Sequence, residues 1–255
     1  MLRIIKFVLQ DILKNKIILA YTAFLAVLTW GIFGLEDNSS KGILTLLNTI
    51  LLVIPLVSII FSTIYLYNSG EFIELLLSQP IERMKIWISF FIGLSTSLGS
   101  AFLLGVALPI LIFEPTMLGL MMILIGVIIT AIFVAMSCLS TVLTRDKAKG
   151  IGISILLWLF FALLFDGLVL FLLYQFSDYP IEKIMVGVTA FSPIDLARIM
   201  ILLHLDVSAM MGYTGAIFKR FFGTELGLIA SFALMLLWVI VPFMLSLKRF
   251  KKMDL

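Results

Sequence analysis

One cysteine and one histidine occur in 255 residues, and this scarcity removes whole classes of chemistry. A single thiol, Cys138, cannot close an intramolecular disulfide or build a thiolate metal cluster. Charge is scarce as well, at 13% of residues, against roughly 25% in a soluble domain. Glu71, Glu74 and Glu82 are close in sequence, but no His, Cys or second acidic cluster accompanies them. Paired-carboxylate catalysis is therefore not expected, and no residue is assigned a catalytic role. No GxxxxGK[ST] run or other nucleotide-binding signature is present. Any ATP, with its Mg²⁺, must be bound by another polypeptide, and no cofactor is expected on this chain. The net charge of only +3 gives no reason to expect nucleic acid as a partner. No cleavable leader is read at the start. Arg3, Lys6, Asp11, Lys14 and Lys16 interrupt it, and no small-residue site follows Leu19.

What the chain has in abundance is apolar sequence: 62% hydrophobic, with a mean hydropathy of +1.22. This predicts an all-α integral membrane protein with one transmembrane domain over residues 1–255. Six segments approach the roughly 20 residues needed to cross the hydrocarbon as a helix. They are Ile17–Phe33, Ile43–Tyr67, Ile86–Phe113, Met117–Leu143, Ile151–Phe176 and Leu226–Leu247. Pro55, Pro109 and Pro242 lie inside them and are expected to kink them. Residues 1–16 read as an interfacial helix, with Leu2, Ile5, Leu9, Ile12 and Leu13 at helical spacing and basic residues elsewhere around the turn.

The distribution of positive charge predicts sidedness. With both termini in the cytoplasm, 13 of the 18 basic residues fall on that side. They lie in residues 1–16, in 68–85, in the loop at 144–150 and in the tail after Leu247. Only Lys41, Lys183, Arg198, Lys219 and Arg220 remain outside. The expectation is N-in, C-in, with short outer loops at Glu36–Lys41 and Glu114–Thr116 and a long outer segment at 177–225.

Two stretches between spans carry structure of their own. Within residues 68–85, NSGEFIELLLSQPIERMK, a short amphipathic helix is predicted. Glu71, Glu74 and Ser78 share one face, and Phe72, Leu75 and Leu76 form a second beside it. Pro80 stops the helix, and Glu82, Arg83 and Lys85 lead into the third span. In the outer segment, Ser192-Pro193-Ile194-Asp195 has a helix-start signature, with Ser192 as cap and Asp195 three residues on. Leu196, Ile199, Met200 and Leu203 then line one face, predicting an external amphipathic helix lying on the bundle. Lys219-Arg220-Phe221-Phe222 reads as an interfacial anchor before the sixth span.

Asp166, inside the fifth span, has to face protein or water, because a central Asp costs about 2.5–3.5 kcal/mol on insertion scales. It is either a carboxylate in a permeation path or subunit seam, or one bonded between helices. His204 with Met200, Met210 and Met211 could be drawn as a soft-metal site. Packing accounts for methionines on apolar helices, and no metal site is assigned.

The layout resembles that of the permease subunits of type V ABC exporters. They have an N-terminal interfacial helix, six spans and a cytoplasmic coupling helix between the second and third. Gly70-Glu71, Glu74-Leu75-Leu76-Leu77-Ser78-Gln79-Pro80 and Arg83 are similar to that family's acidic, Leu-rich coupling region ending in Ser-x-Pro-x-x-Arg. Ser192-Pro193-Ile194-Asp195-Leu196-Ala197-Arg198 is similar to an external Asn-Pro-x-Asp-x-x-Arg stretch, with Ser192 where Asn is commoner. The external stretch points to the branch serving maturation of the copper sites of nitrous oxide reductase in the bacterial inner membrane. The resemblance implies Glu71, Phe72, Glu74, Leu75, Leu76, Ser78, Pro80 and Arg83 as the ATPase-coupling set. It implies Ser192, Pro193, Asp195 and Arg198 in an external partner-binding region. It also implies a homodimer, a NosF-like ABC ATPase subunit, a NosD-like periplasmic β-helix protein and a NosL-like copper chaperone. Two other readings stay open: a permease of the same build exporting lipid, drug or bacteriocin, and an ATPase-independent intramembrane enzyme or secondary transporter centred on Asp166.

Overall fold

The computed structural model describes residues 1–36, 39–176, 187–202 and 225–252. In chain order its helices are α1 (Leu2–Leu13), α2 (Lys16–Leu35), α3 (Ser39–Asn68), α4 (Gly70–Leu77), α5 (Arg83–Phe102), α6 (Leu108–Phe113), α7 (Met117–Leu143), α8 (Lys147–Leu159), α9 (Phe165–Gln175), α10 (Pro193–Leu202) and α11 (Glu225–Lys252). Two π-helical turns, Leu103–Ala107 and Phe160–Leu164, join α5 to α6 and α8 to α9. Among the described residues, six helical stretches are long and apolar enough to cross a membrane: Lys16–Leu35, Lys41–Asn68, Arg83–Phe113, Met117–Leu143, Lys147–Leu172 and Gly227–Lys252. The chain is a multi-pass, all-α membrane protein.

Local chemistry places the breaks. Asn15 starts α2 by accepting the Ile17 N–H at 2.9 Å. Asp146 starts α8 by accepting the amides of Ala148 and Lys149. Both caps satisfy amides that the first helical turn leaves without partners. Pro109 directly follows the first π turn. Such a turn relaxes the backbone ladder where a proline has no N–H to give. Pro55 and Pro242 sit within continuous helices.

The centre of the bundle is α7, apolar on every side, which packs along α3, α5 and α11. Ile125, Ile129, Ile132 and Phe133 on it are fully enclosed. The first, fifth and sixth spans bury only 28%, 17% and 17% of their apolar windows, so they form the lipid-facing periphery. In lipid the apolar exterior costs nothing, so the fold is held by close packing and by hydrogen bonds between helices.

The interfacial helix differs in detail from the sequence reading. The side of α1 that meets the bundle is Ile4, Val8 and Ile12, while Leu2 stays 82% exposed. The register is chosen by α5, whose Gly93 receives Val8 so closely that a Cβ there would collide with it. On the neighbouring side of α1, Asp11 accepts the Tyr65 hydroxyl at 2.9 Å.

One end of the bundle gathers α1, α4, the 144–146 turn and the last turns of α11. The Tyr67 hydroxyl donates to the Thr144 carbonyl, and Lys147 Nζ donates to Asn68 Oδ1. Arg83 donates to the Lys251 carbonyl, and Trp87 stacks on Phe250 at 4.3 Å. The opposite end holds α10, which packs against α3, α7, α11 and the second π turn. The helix predicted between the fifth and sixth spans therefore exists. It is sunk between spans where the sequence reading laid it on their surface: Ile194, Leu196, Ala197, Met200 and Ile201 are all buried.

Candidate functional site

The α4 helix forms because α3 breaks at Ser69 (ψ 8°), and the next turn restarts with Ile73 donating to the Ser69 carbonyl. It ends before Pro80 with its carbonyls satisfied. The Ser78 amide reaches Glu74, the Gln79 amide reaches Leu76, and the Ser78 hydroxyl donates to Leu75 at 2.8 Å. The observed helix, Gly70–Leu77, ends ahead of Pro80, with Ser78 and Gln79 beyond it.

The acids share one face as predicted, while the second face divides. Glu71, Glu74 and Ser78 are exposed together. Inward lie Ile73 and Leu76, with Phe72 between Phe7 of α1 (4.9 Å) and Phe90 of α5 (6.2 Å). Leu75, which the sequence reading grouped with Phe72 and Leu76, parts from them: it points outward and is 57% exposed. The reason is geometric. On a two-turn helix the inward stripe is set by whichever neighbours stand beside it, and here Phe7 and Phe90 draw in the stripe running from Phe72 to Leu76. Gln79 and Pro80 are exposed beyond the helix end. Arg83 is exposed while reaching the end of α11.

Exposed Lys85, Lys147, Lys149, Lys248, Arg249, Lys251 and Lys252 stand at the same end as this acidic face. The Glu82–Lys85 pair at 2.9 Å is exposed, so it contributes little stability. Beside α4 a cavity of about 320 Å³ is lined by Tyr67, Gly70, Ile73, Glu74, Thr141 and Arg145, among others. The Tyr67 ring lies directly over Gly150, where any Cβ would overlap it. The short helix is thus seated against α1, α3 and α5.

At the opposite end, Ser192 caps α10 as predicted, its hydroxyl accepting the Asp195 amide at 3.2 Å. The side chains of this motif turn inward. Ser192 and Pro193 are buried, and Asp195 is 7% exposed. Arg198 Nη1 donates to both Asp166 oxygens, at 2.9 and 2.8 Å, and to Asp195 Oδ1 at 3.1 Å. Asp166 is therefore an ion-paired carboxylate that ties the fifth span to α10. The π turn ending at Leu164 helps set the direction of Asp166, because an extra residue in a turn rotates all that follows. Burial, then the neighbouring Asp166 carboxylate, pushes the Asp195 carboxyl up to about 7.

The sequence reading missed the Asp166–Arg198 bridge. Its signal was present: an intramembrane acid needs a partner, and the external motif carried a basic residue. It also missed the contact of Phe7 with Phe72. Met200 is buried in the packing of α10, while Leu203, His204, Met210, Met211 and the 219–222 patch lie outside the described residues. Among the described residues no group of three or more His, Cys, Asp or Glu is placed to hold a metal ion.

Two comparisons with known proteins bear on this arrangement. The chain is 27% identical over 225 residues to the "Probable ABC transporter permease protein NosY" of Pseudomonas aeruginosa, covering 80% of this chain and 82% of that protein. It is 24% identical to the protein of the same name from Stutzerimonas stutzeri, covering 96% and 95%. A family model described as ABC-2 family transporter protein matches residues 9–255. A six-span bundle with this match over nearly its whole length is a multi-pass permease, and the chain belongs to the ABC-2 family of transporter proteins.

Proposed function

We propose that this permease couples ATP hydrolysis by a separate cytoplasmic ATPase subunit to a conformational change on the outer face, and that it serves assembly of the copper sites of nitrous oxide reductase. In this reading α4 is the coupling helix, with Glu71, Glu74, Leu75 and Ser78 as the contact face. Phe72 and Leu76 seat it, while Pro80 and Arg83 set its exit into α5. The observation that carries the reading is α4 itself: an acidic face with an outward leucine, backed by α1, α3 and α5. The clustering of the basic segments at that same end supports an N-in, C-in orientation. The permease acts as a homodimer with a NosF-like ATPase. A NosD-like periplasmic β-helix protein and a NosL-like copper chaperone work on the other face. The likeness to the two NosY proteins supports the copper-enzyme setting. The external motif serves it by fixing α10 in the bundle.

The test is replacement of Glu74 by Lys together with Leu75 by Asp. The double variant is expected to insert normally, yet to lose capture of the ATPase in mild detergent or to hydrolyse ATP without external response. Normal assembly and coupling in that variant would remove α4 from the role. Co-purification of the unaltered chain with an ATPase and a secreted repeat protein is the expected companion result. An ATPase alone would favour export of a lipid, drug or bacteriocin.

A further inference from the structure

Between spans two, four and five the bundle buries a group of hydroxyls that packing alone does not explain. Ser58, Ser62 and Thr63 on α3, Ser137 and Ser140 on α7, and Ser154 on α8 are all fully enclosed. Ser154 Oγ lies 2.7 Å from both Thr63 Oγ1 and Ser140 Oγ. Thr63 also bonds the Ile59 carbonyl at 2.7 Å, and Ser140 bonds the Ser137 carbonyl at 2.9 Å. A carbonyl can only accept, so Thr63 and Ser140 must supply both of those protons. Ser154 has one proton for its two short contacts. The three hydroxyls thus hold three protons for four hydrogen bonds, and one contact is short of a donor.

Nearby on α3, Ser58 Oγ and Ser62 Oγ are buried without any partner. An orphaned buried hydroxyl is costly, and the usual remedy is ordered water. Thr141, one residue past Ser140, lines the cavity beside α4 together with Tyr67.

We propose that spans two, four and five enclose a hydrated site, lined by Ser58, Ser62, Thr63, Ser140 and Ser154 and reached past Thr141 from the cavity beside α4. Water there donates to the Ile59 or Ser137 carbonyl, which frees the Thr63 or Ser140 proton for Ser154, and it satisfies the two orphaned serines. Hydrogen bonds through water re-form after one helix shifts against another, which interlocked apolar side chains do not allow. The site therefore lubricates the helices that brace α4. This inference goes beyond the proposed role and does not depend on which partner, if any, α4 meets.

The test uses the full chain in membrane vesicles, with Cys138→Ala as background. Ser58→Cys and Ser62→Cys are each treated with the small water-soluble reagent methanethiosulfonate ethylammonium. Leu52→Cys, on the lipid-exposed side of the same helix, is the dry control. Labelling at positions 58 and 62 is expected to be at least tenfold faster than at 52. Rates equal to or below the control would overturn the proposal. A second measurement needs no cysteine. In a hydrated site, Ser58→Ala with Ser62→Ala strips water of its partners and lowers the Tm in detergent. In a dry one, the same change removes two orphaned hydroxyls and raises it, which would equally overturn the proposal.

Discussion

A single nitrogen of Arg198 holds carboxylates from two helices, Asp166 on α9 and Asp195 on α10. With Arg198 removed, two acids are left facing each other with no cation among the contacts described. Arg198→Ala is expected to cost about 1–3 kcal/mol, below the range for a fully buried pair because the site is partly open, and to lower the Tm in detergent. Adding Asp166→Asn should restore part of the loss by removing the repulsion. Asp195 gives a pH prediction. Its folded carboxyl titrates near 7, well above the ordinary 3.8. Between those values the folded chain keeps a proton that the unfolded chain has lost. Stability from this group is therefore full below about pH 4 and is lost as pH rises through 7. Thermal melts between pH 5 and 8 should show this fall, and Asp195→Asn should flatten it. Ser192, Pro193 and Asp195, which the resemblance set in an external partner-binding region, are buried for a reason visible in the same residues. A cap, an N1 proline and a buried acid are devices for anchoring a helix start, whatever lies beyond it.

At the scale of elements, α4 is held by what stands behind it. The Tyr67 ring over Gly150 locks the end of α3 to the start of α8. Gly150→Ala should displace that ring and cost about 1–3 kcal/mol, read as a lower Tm. It should also lower ATPase coupling even though position 150 is not on the proposed contact face. Phe72→Ala loosens α4 from α1 and α5, and the loss of two aromatic contacts should speed proteolysis after Arg83. The existence and ends of α4 were legible from its acids and from Pro80. Its inward stripe was not, since Phe7 is distant in sequence and no local pattern announces it. The same holds for α1, where both Ile5 with Leu9 and Ile4 with Val8 keep helical spacing. Only the gap at Gly93 selects the second pair.

For the molecule as a whole, the arrangement of ends makes a prediction about sidedness. Residues 1–16, the 68–85 segment, the 144–150 loop and the end of α11 share one end, and they carry 13 of the 18 basic residues. A fluorescent reporter fused after Leu255 should glow in the cytoplasm, while a periplasm-dependent phosphatase at the same point should stay inactive. An active phosphatase there would reverse the orientation and move α4 away from any cytosolic ATPase.

Sequence alone determined the number of crossings, their limits to within a few residues, the short helix after the second and the capped helix after the fifth. These follow from hydrocarbon thickness, proline and capping, all of which act locally. Tertiary structure alone decided the pairing of Asp166 with Arg198 across 32 residues and of Thr63 with Ser154 across 91. It also decided which way Leu75 turns. Apolar spans can meet in many registers at nearly equal cost in lipid, so partners between them are chosen by the fit of glycines, hydroxyls and charges that only the assembled bundle brings together.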